Sequence, residues 1–136
     1  MLIYADGGAL SRALTVDSDS AAWLPWVHEH EHELVTSPLG LTELRRVADP
    51  LGPAARAAAH RIASSVAVVR FSDQALRVSA MAAGAVPPFT AIHLGNAVAH
   101  PDVDRIATYD PLLARIAVIY GLGVVSPGRT GPWWEG

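Results

Sequence analysis

The stretch DRIATYDPLLARIAVIYGLGVVSP, residues 104 to 127, decides how this chain folds. DRIATYD (104–110) reads as a short strand with Ile106 and Ala107 at its apolar centre. Asp110 followed by Pro111 is a helix start: the carboxylate caps the first turn, where proline's missing N–H is no loss. PLLARIAVIY then carries apolar side chains at helical spacing up to Gly121, and GLGVVSP supplies another short strand. Strand, capped helix and strand in so few residues predict two parallel strands joined by a covering helix.

The same alternation continues outward. LIYAD (2–6) reads as a buried opening strand, and GGALSRAL as a brief helix capped by Asp6. A helix is predicted from Ser18 to about Glu31, with Trp23, Leu24 and Val27 on one face and Pro25 as a kink or late start. ELVTS (33–37) is β-like; Ser37-Pro38 opens a helix that should turn Leu41, Leu44 and Val47 inward. PLGPAARAAAHRIASS is helical, VAVVRF (66–71) reads as the clearest strand, and SDQALRVSAMAAG as a capped helix ending at Gly84. After Pro87-Pro88 a helix is expected to begin at Thr90, with Ile92, Leu94 and Val98 on its apolar side. The fold class expected is α/β, a central parallel sheet flanked by helices on both faces. It spans residues 1–136 as one domain, with 127–136 an irregular tail whose Trp133-Trp134 pair suggests a docking or dimer contact.

Composition narrows the function. The 136 residues are 51% apolar and 17% charged, which suits a compact core. No apolar run approaches the ~20 residues of a membrane span, and MLIYADGG offers no basic or long apolar leader. Without cysteine there is neither a disulfide framework nor a thiolate zinc site. A cytoplasmic protein with no membrane partner is expected. The net charge of −3 is not that of a typical nucleic-acid binder. All ten basic residues are arginine, the better phosphate fork, though a GC-rich genome accounts for that bias first.

In parallel α/β sheets ligands bind outside the carboxyl ends of the strands. Asp6 stands at that end of the first strand, Asp110 closes the strand at 104–110, and Glu43 lies in the helix directly after ELVTS. Each has an ordinary explanation: Asp6 and Asp110 cap helices, and Glu43 is three residues from Arg46. Gathered at one sheet edge, three carboxylates without a basic partner call for a hard divalent cation with oxygen ligands, a common device in phosphodiester cleavage.

At these residues the chain resembles the PIN-domain family, specifically the VapC-like toxins of bacterial toxin–antitoxin pairs. The resemblance is carried by IYADGGAL, LVTSPLGLTELRRV, TAIHLGNAVAH and IATYDPLLARIAVIYGLGVVSPG, and spans nearly the whole chain. It implies a PIN-like α/β sheet, Mg²⁺-dependent endoribonuclease activity with Mn²⁺ as a substitute, a homodimer, and a cognate VapB-like antitoxin that blocks the site. Asp6, Glu43 and Asp110 match three family acids, with Asp6 and Asp110 as metal ligands. The fourth acid is replaced: where the family reads D-A-I-H, this chain reads Thr90-Ala91-Ile92-His93. Gly7-Gly8 also stands where the family carries hydroxyls. Thr90 is expected to keep capping its helix but to bind Mg²⁺ weakly or not at all. His93, one turn along, is expected to pack beside the site rather than bind its cation, since imidazole suits Mn²⁺ or Zn²⁺ better than Mg²⁺. Arg12, Arg45 and Arg46 are candidate contacts to RNA phosphates, or simply surface cations.

VHEHEHELV (27–35) contains His28-Glu29-His30-Glu31-His32, which satisfies H-E-x-x-H, the helical zinc-peptidase pattern. Here the pattern falls at a helix end directly before a β-like segment, and strict His/Glu alternation leaves no apolar face to bury. A solvated helix end is expected, with stray Ni²⁺ or Zn²⁺ binding by His28 and His32 the most it could do. The sequence thus points to a ribonuclease toxin attenuated by Thr90, or to a catalytically impaired relative that binds RNA or antitoxin.

Overall fold

The computed structural model describes residues 1–136. In chain order it contains β1 (Leu2–Ala5), α1 (Gly7–Leu10), α2 (Ser18–His30), β2 (Leu34–Thr36), α3 (Pro38–Ala48), α4 (Pro53–Ser65), β3 (Ala67–Val68), α5 (Asp73–Ala82), α6 (Pro88–Ala99), β4 (Val103–Ala107), α7 (Pro111–Ile119) and β5 (Gly123–Val125). Short 3-10 turns at Ser11–Leu14, Asp49–Leu51 and Trp133–Glu135 complete it. The five strands form one sheet in the order β3-β2-β1-β4-β5, and every pairing is parallel. The α/β architecture read from the sequence is the architecture present.

β1 is central because it is apolar on both faces, as a doubly covered parallel strand must be. Its alternation divides the core in two. Ile3 and Ala5 face a cluster with Trp23 of α2, Leu44 of α3 and Ala59 of α4. Tyr4 faces the other, with Leu94 of α6, Ile106 of β4 and Leu113 of α7. Five helix starts are fixed by side chains that the sequence supplies there, Asp6 at α1 and four others. Asp17 accepts from Ser20 N, Ser37 from Gly40 N, Ser72 from Ala75 N and Asp110 from Leu112 N. α2 runs through Pro25 without stopping.

Several expectations need correction. VAVVRF is not the clearest strand: only Ala67 and Val68 pair, as an exposed edge. The hydrophobic run signals a strand, but the sheet has no cover there to bury it. Val47 is exposed, and Ala48 takes the inward position at the end of α3. α5 ends at Ala82 rather than at Gly84. Thr90 does not cap α6. That helix begins at Pro88, with Pro87 at the cap position and no side-chain cap bond. The proline pair presets the first turn, so Thr90 falls inside it with its hydroxyl free for the site.

The tail from 127 onward folds back on the chain. Arg129 makes a two-pronged contact with Asp19 (3.3 and 2.8 Å), and its guanidinium lies over the rings of Trp133 and Tyr109 (4.5 and 5.2 Å). The carbonyl of Trp134 accepts from Arg115 of α7 at 2.8 Å. No helix is long and apolar enough to cross a membrane.

Candidate functional site

The strand order reverses direction between β1 and β4: from β1 the chain moves outward to β2 and β3, then returns to place β4 on the other side. Connections depart to opposite sides at such a switch point, which leaves a crevice at the carboxyl ends of the two strands. Asp6 follows β1 and Asp110 follows β4 by three residues, so both stand at this crevice.

Thr108 ties them together. Its hydroxyl donates to Asp6 Oδ2 at 2.6 Å and accepts the backbone N–H of Asp110 at 3.0 Å. Asp6 Oδ1 accepts from Ala9 N at 2.7 Å, the expected cap of α1. Asp6 is buried, and burial pushes its carboxyl above the ordinary range. His93, Thr108 and Ala9 act in the opposite direction, while Glu43 adds to the rise. Asp110 caps α7 through Oδ1, and its Oδ2 lies 3.4 Å from the Thr90 hydroxyl.

Glu43 reaches the same crevice from α3. Its Oε1 accepts from Gly7 N at 3.1 Å and lies 2.5 Å from His93 Nε2. It makes no ion pair with Arg46. A carboxylate only accepts, so Nε2 carries the proton of that bond. On the other side of the ring, Nδ1 is 2.7 Å from the Tyr4 hydroxyl, itself 2.7 Å from Ser37 Oγ. Burial raises the Tyr4 pKa, so the phenol stays protonated. One direction of donation satisfies the whole ladder: Ser37 to Tyr4, Tyr4 to His93, His93 to Glu43. His93, only 3% exposed, is thus a strut that fixes Glu43.

Gly7 is explained by the same contact. A Cβ there would lie 2.2 Å from Glu43 Cβ and 2.7 Å from Glu43 Oε1, so α1 and α3 approach this closely only with glycine. Gly8 is different: a Cβ would meet only Asp6 Oδ1, at 3.6 Å, an ordinary contact.

The sequence therefore anticipates Asp6, Glu43, Asp110, Thr90 and His93, all of which meet here. It missed Thr108, Tyr4 and Ser37. The signal for Thr108 was its place two residues before Asp110, on the same side of an extended segment. Of the arginines, Arg12 lies over the Tyr109 ring at 4.7 Å, and Arg45 and Arg46 are exposed on the last turn of α3.

Three carboxylates with threonine hydroxyls form an oxygen-only donor set, the chemistry of Mg²⁺ or Mn²⁺. No three His, Asp or Glu side chains converge into a preformed cage. The fit is to an ion that takes one or two carboxylates and fills its remaining positions with water, a usual manner for Mg²⁺.

His28-Glu29-His30-Glu31-His32 forms no such site. α2 ends at His30, whose Nδ1 meets Trp26 O at 2.8 Å while its ring stacks on Trp26 at 4.5 Å. His32 lies beyond the helix, so the two outer histidines do not share a helical face. No family model, no curated protein and no solved structure matches this chain.

Proposed function

We propose that this protein is a metal-dependent endoribonuclease, the toxin of a VapBC-like pair, with its site at the carboxyl ends of β1 and β4. The observation that carries the reading is the Thr108 bridge. It fixes a buried carboxylate, Asp6, beside the Asp110 backbone across a topological switch point, with Glu43 held alongside. Asp6 and Asp110 would hold Mg²⁺, with Mn²⁺ as a substitute. The bound cation supplies an electrophile and lowers the pKa of the attacking water. Glu43, one oxygen of which is engaged by Gly7 and His93, keeps Oε2 to orient that water. His93 and Tyr4 hold Glu43 in place and contribute no nucleophile.

Arg45 and Arg46 remain phosphate contacts under this reading, and so does Arg12 through the edges of its guanidinium. The resemblance alone supports the antitoxin partner, the homodimer and a cytoplasmic location. A second reading, an impaired nuclease that binds RNA or antitoxin, is favoured by one contact. Asp110 Oδ2 faces a neutral hydroxyl at Thr90, where a further carboxylate would strengthen the cation site.

The test is cleavage of total RNA by the purified chain in Mg²⁺, Mn²⁺ or chelator. The nuclease reading expects cleavage that needs the metal and falls by about a hundredfold or more in Asp6→Asn, the scale for loss of one group facing transition-state charge. Cleavage seen only in Thr90→Asp establishes the disarmed form. Absence of cleavage from both, with RNA binding retained in chelator, decides for the binding protein.

A further inference from the structure

Beyond Val68 the chain runs through Val69, Arg70 and Phe71 before Ser72 caps α5. α5 and α6 lie in close contact because residue 95 is glycine. A Cβ there would come within 2.2 Å of Ser79 Oγ and 2.4 Å of the Ala75 carbonyl oxygen. Alongside this helix pair two depressions follow one another. The first, about 200 Å³, lies beneath Phe71 between Leu39 of α3 and Ile92 of α6. Ser37 also lines it, so it adjoins the hydroxyl ladder behind Glu43. The second, about 470 Å³, is bounded by Arg70, Gln74, Arg77 and His100. Asn96 lies on the wall of both, so the two adjoin and together form a groove along the surface.

The groove has two properties of a single-strand track. Phe71 is 45% exposed at the end nearer the carboxylates, an aromatic face without a protein ring stacked on it. Arg70 and Arg77 form neither ion pairs nor side-chain hydrogen bonds, although Asp73 stands four residues before Arg77 in the same depression. Arg105 and Arg129, by contrast, are both engaged by carboxylates.

We propose that this groove carries a single strand of RNA away from the carboxylate site. Phe71 stacks on a base, while Arg70 and Arg77 fork onto the phosphates that follow. The inference rests on the ribonuclease reading for its direction of travel. A duplex does not suit it, because its bases are already stacked and present no free face to Phe71.

The experiment measures binding of a short fluorescein-labelled oligouridylate across a salt series in chelator, alongside RNA cleavage in Mg²⁺. In the Arg70→Ala/Arg77→Ala double variant the slope of log K against log salt should shrink in magnitude by about 1.4, the release expected from two lost single-strand phosphate contacts. Phe71→Ala should weaken binding by about tenfold with the slope unchanged, because stacking releases no counterions. Arg61→Ala, an exposed charge on α4, should leave both unchanged. Thermal unfolding of each variant shows that the fold is retained. An unchanged slope in the double variant overturns the groove even where Asp6→Asn abolishes cleavage and the nuclease stands. The expected slope change without cleavage from any variant supports the groove and removes the nuclease. No binding of the oligouridylate by the parent chain overturns the groove outright.

Discussion

Asp6 caps α1 from a buried position, and under the proposed reading it must also stay ionised to hold a cation. Burial raises its folded-state pKa above the ~3.9 of an unfolded aspartate. A raised carboxylate gives its full contribution below the unfolded value and loses it as pH climbs through the folded value. The ionised group therefore destabilises the fold at neutral pH. Asp6→Asn, still able to cap, should unfold at a higher temperature than the parent at pH 7, and the gap should close towards pH 4. Thermal scans across that range check it. A lower unfolding temperature for the variant at pH 7 would show that the Thr108 and Ala9 bonds outweigh burial. Thr90→Asp should do the reverse. In chelator it sets a second carboxylate beside Asp110 and lowers the unfolding temperature, and Mg²⁺ should restore it by binding the native state. At this scale the sequence revealed the acids, because three carboxylates far apart in the chain all fall at the carboxyl edge of the expected sheet, although each alone reads as a cap or a surface pair. It did not reveal the hydroxyls, since threonine and tyrosine inside apolar strands look like filler until their partners arrive from elsewhere in the chain.

The elements owe their contacts to missing side chains as much as to present ones. Gly95 permits the α5–α6 approach, and Gly95→Ala would drive a methyl against the backbone of Ala75. The expected loss is about 1–3 kcal/mol, the usual range for overpacking, read from chemical denaturation. An unchanged midpoint would mean that the two helices slide apart freely. Helix types and most starts were legible because their caps are local: Ser37-Pro38, Ser72 and Asp110-Pro111 each announce a turn. Strand length was not. VAVVRF and GLGVVSP carry similar hydrophobic signals, yet each pairs over three residues or fewer, because extent depends on the neighbouring strand. The helix at Thr90 was misplaced by two residues for a related reason: two prolines can open a helix as well as precede one.

Across the whole molecule, the tail is the part that composition described least well. Arg129 joins α2, Tyr109 and Trp133 through one guanidinium, so the last residues brace the strand end that leads into Asp110. Arg129→Ala should cost about 1–2 kcal/mol, the sum expected for a forked carboxylate contact and partly exposed cation–π stacking. Fluorescence-monitored denaturation follows it through the tryptophans, and a change under a few tenths of a kcal/mol would show the brace to be idle. Sheet order was the other unreadable feature. Alternating strands and helices declare a parallel sheet, whereas which strand becomes central follows from how two apolar cores close over β1.

That order has a consequence in time. β4, one of the two neighbours of β1, is made about a hundred positions after it, and the bond that locks Asp6 spans 102 residues. Earlier in synthesis β1 can pair with β2 alone, and its second edge waits. Long-range parallel pairing is slow for this reason, and the open edge is the nascent chain's exposed liability. The same delay sets when the site can form. A chain interrupted before residue 108 lacks the hydroxyl that bridges Asp6 to the Asp110 backbone, so this cluster assembles only once the sheet is nearly whole.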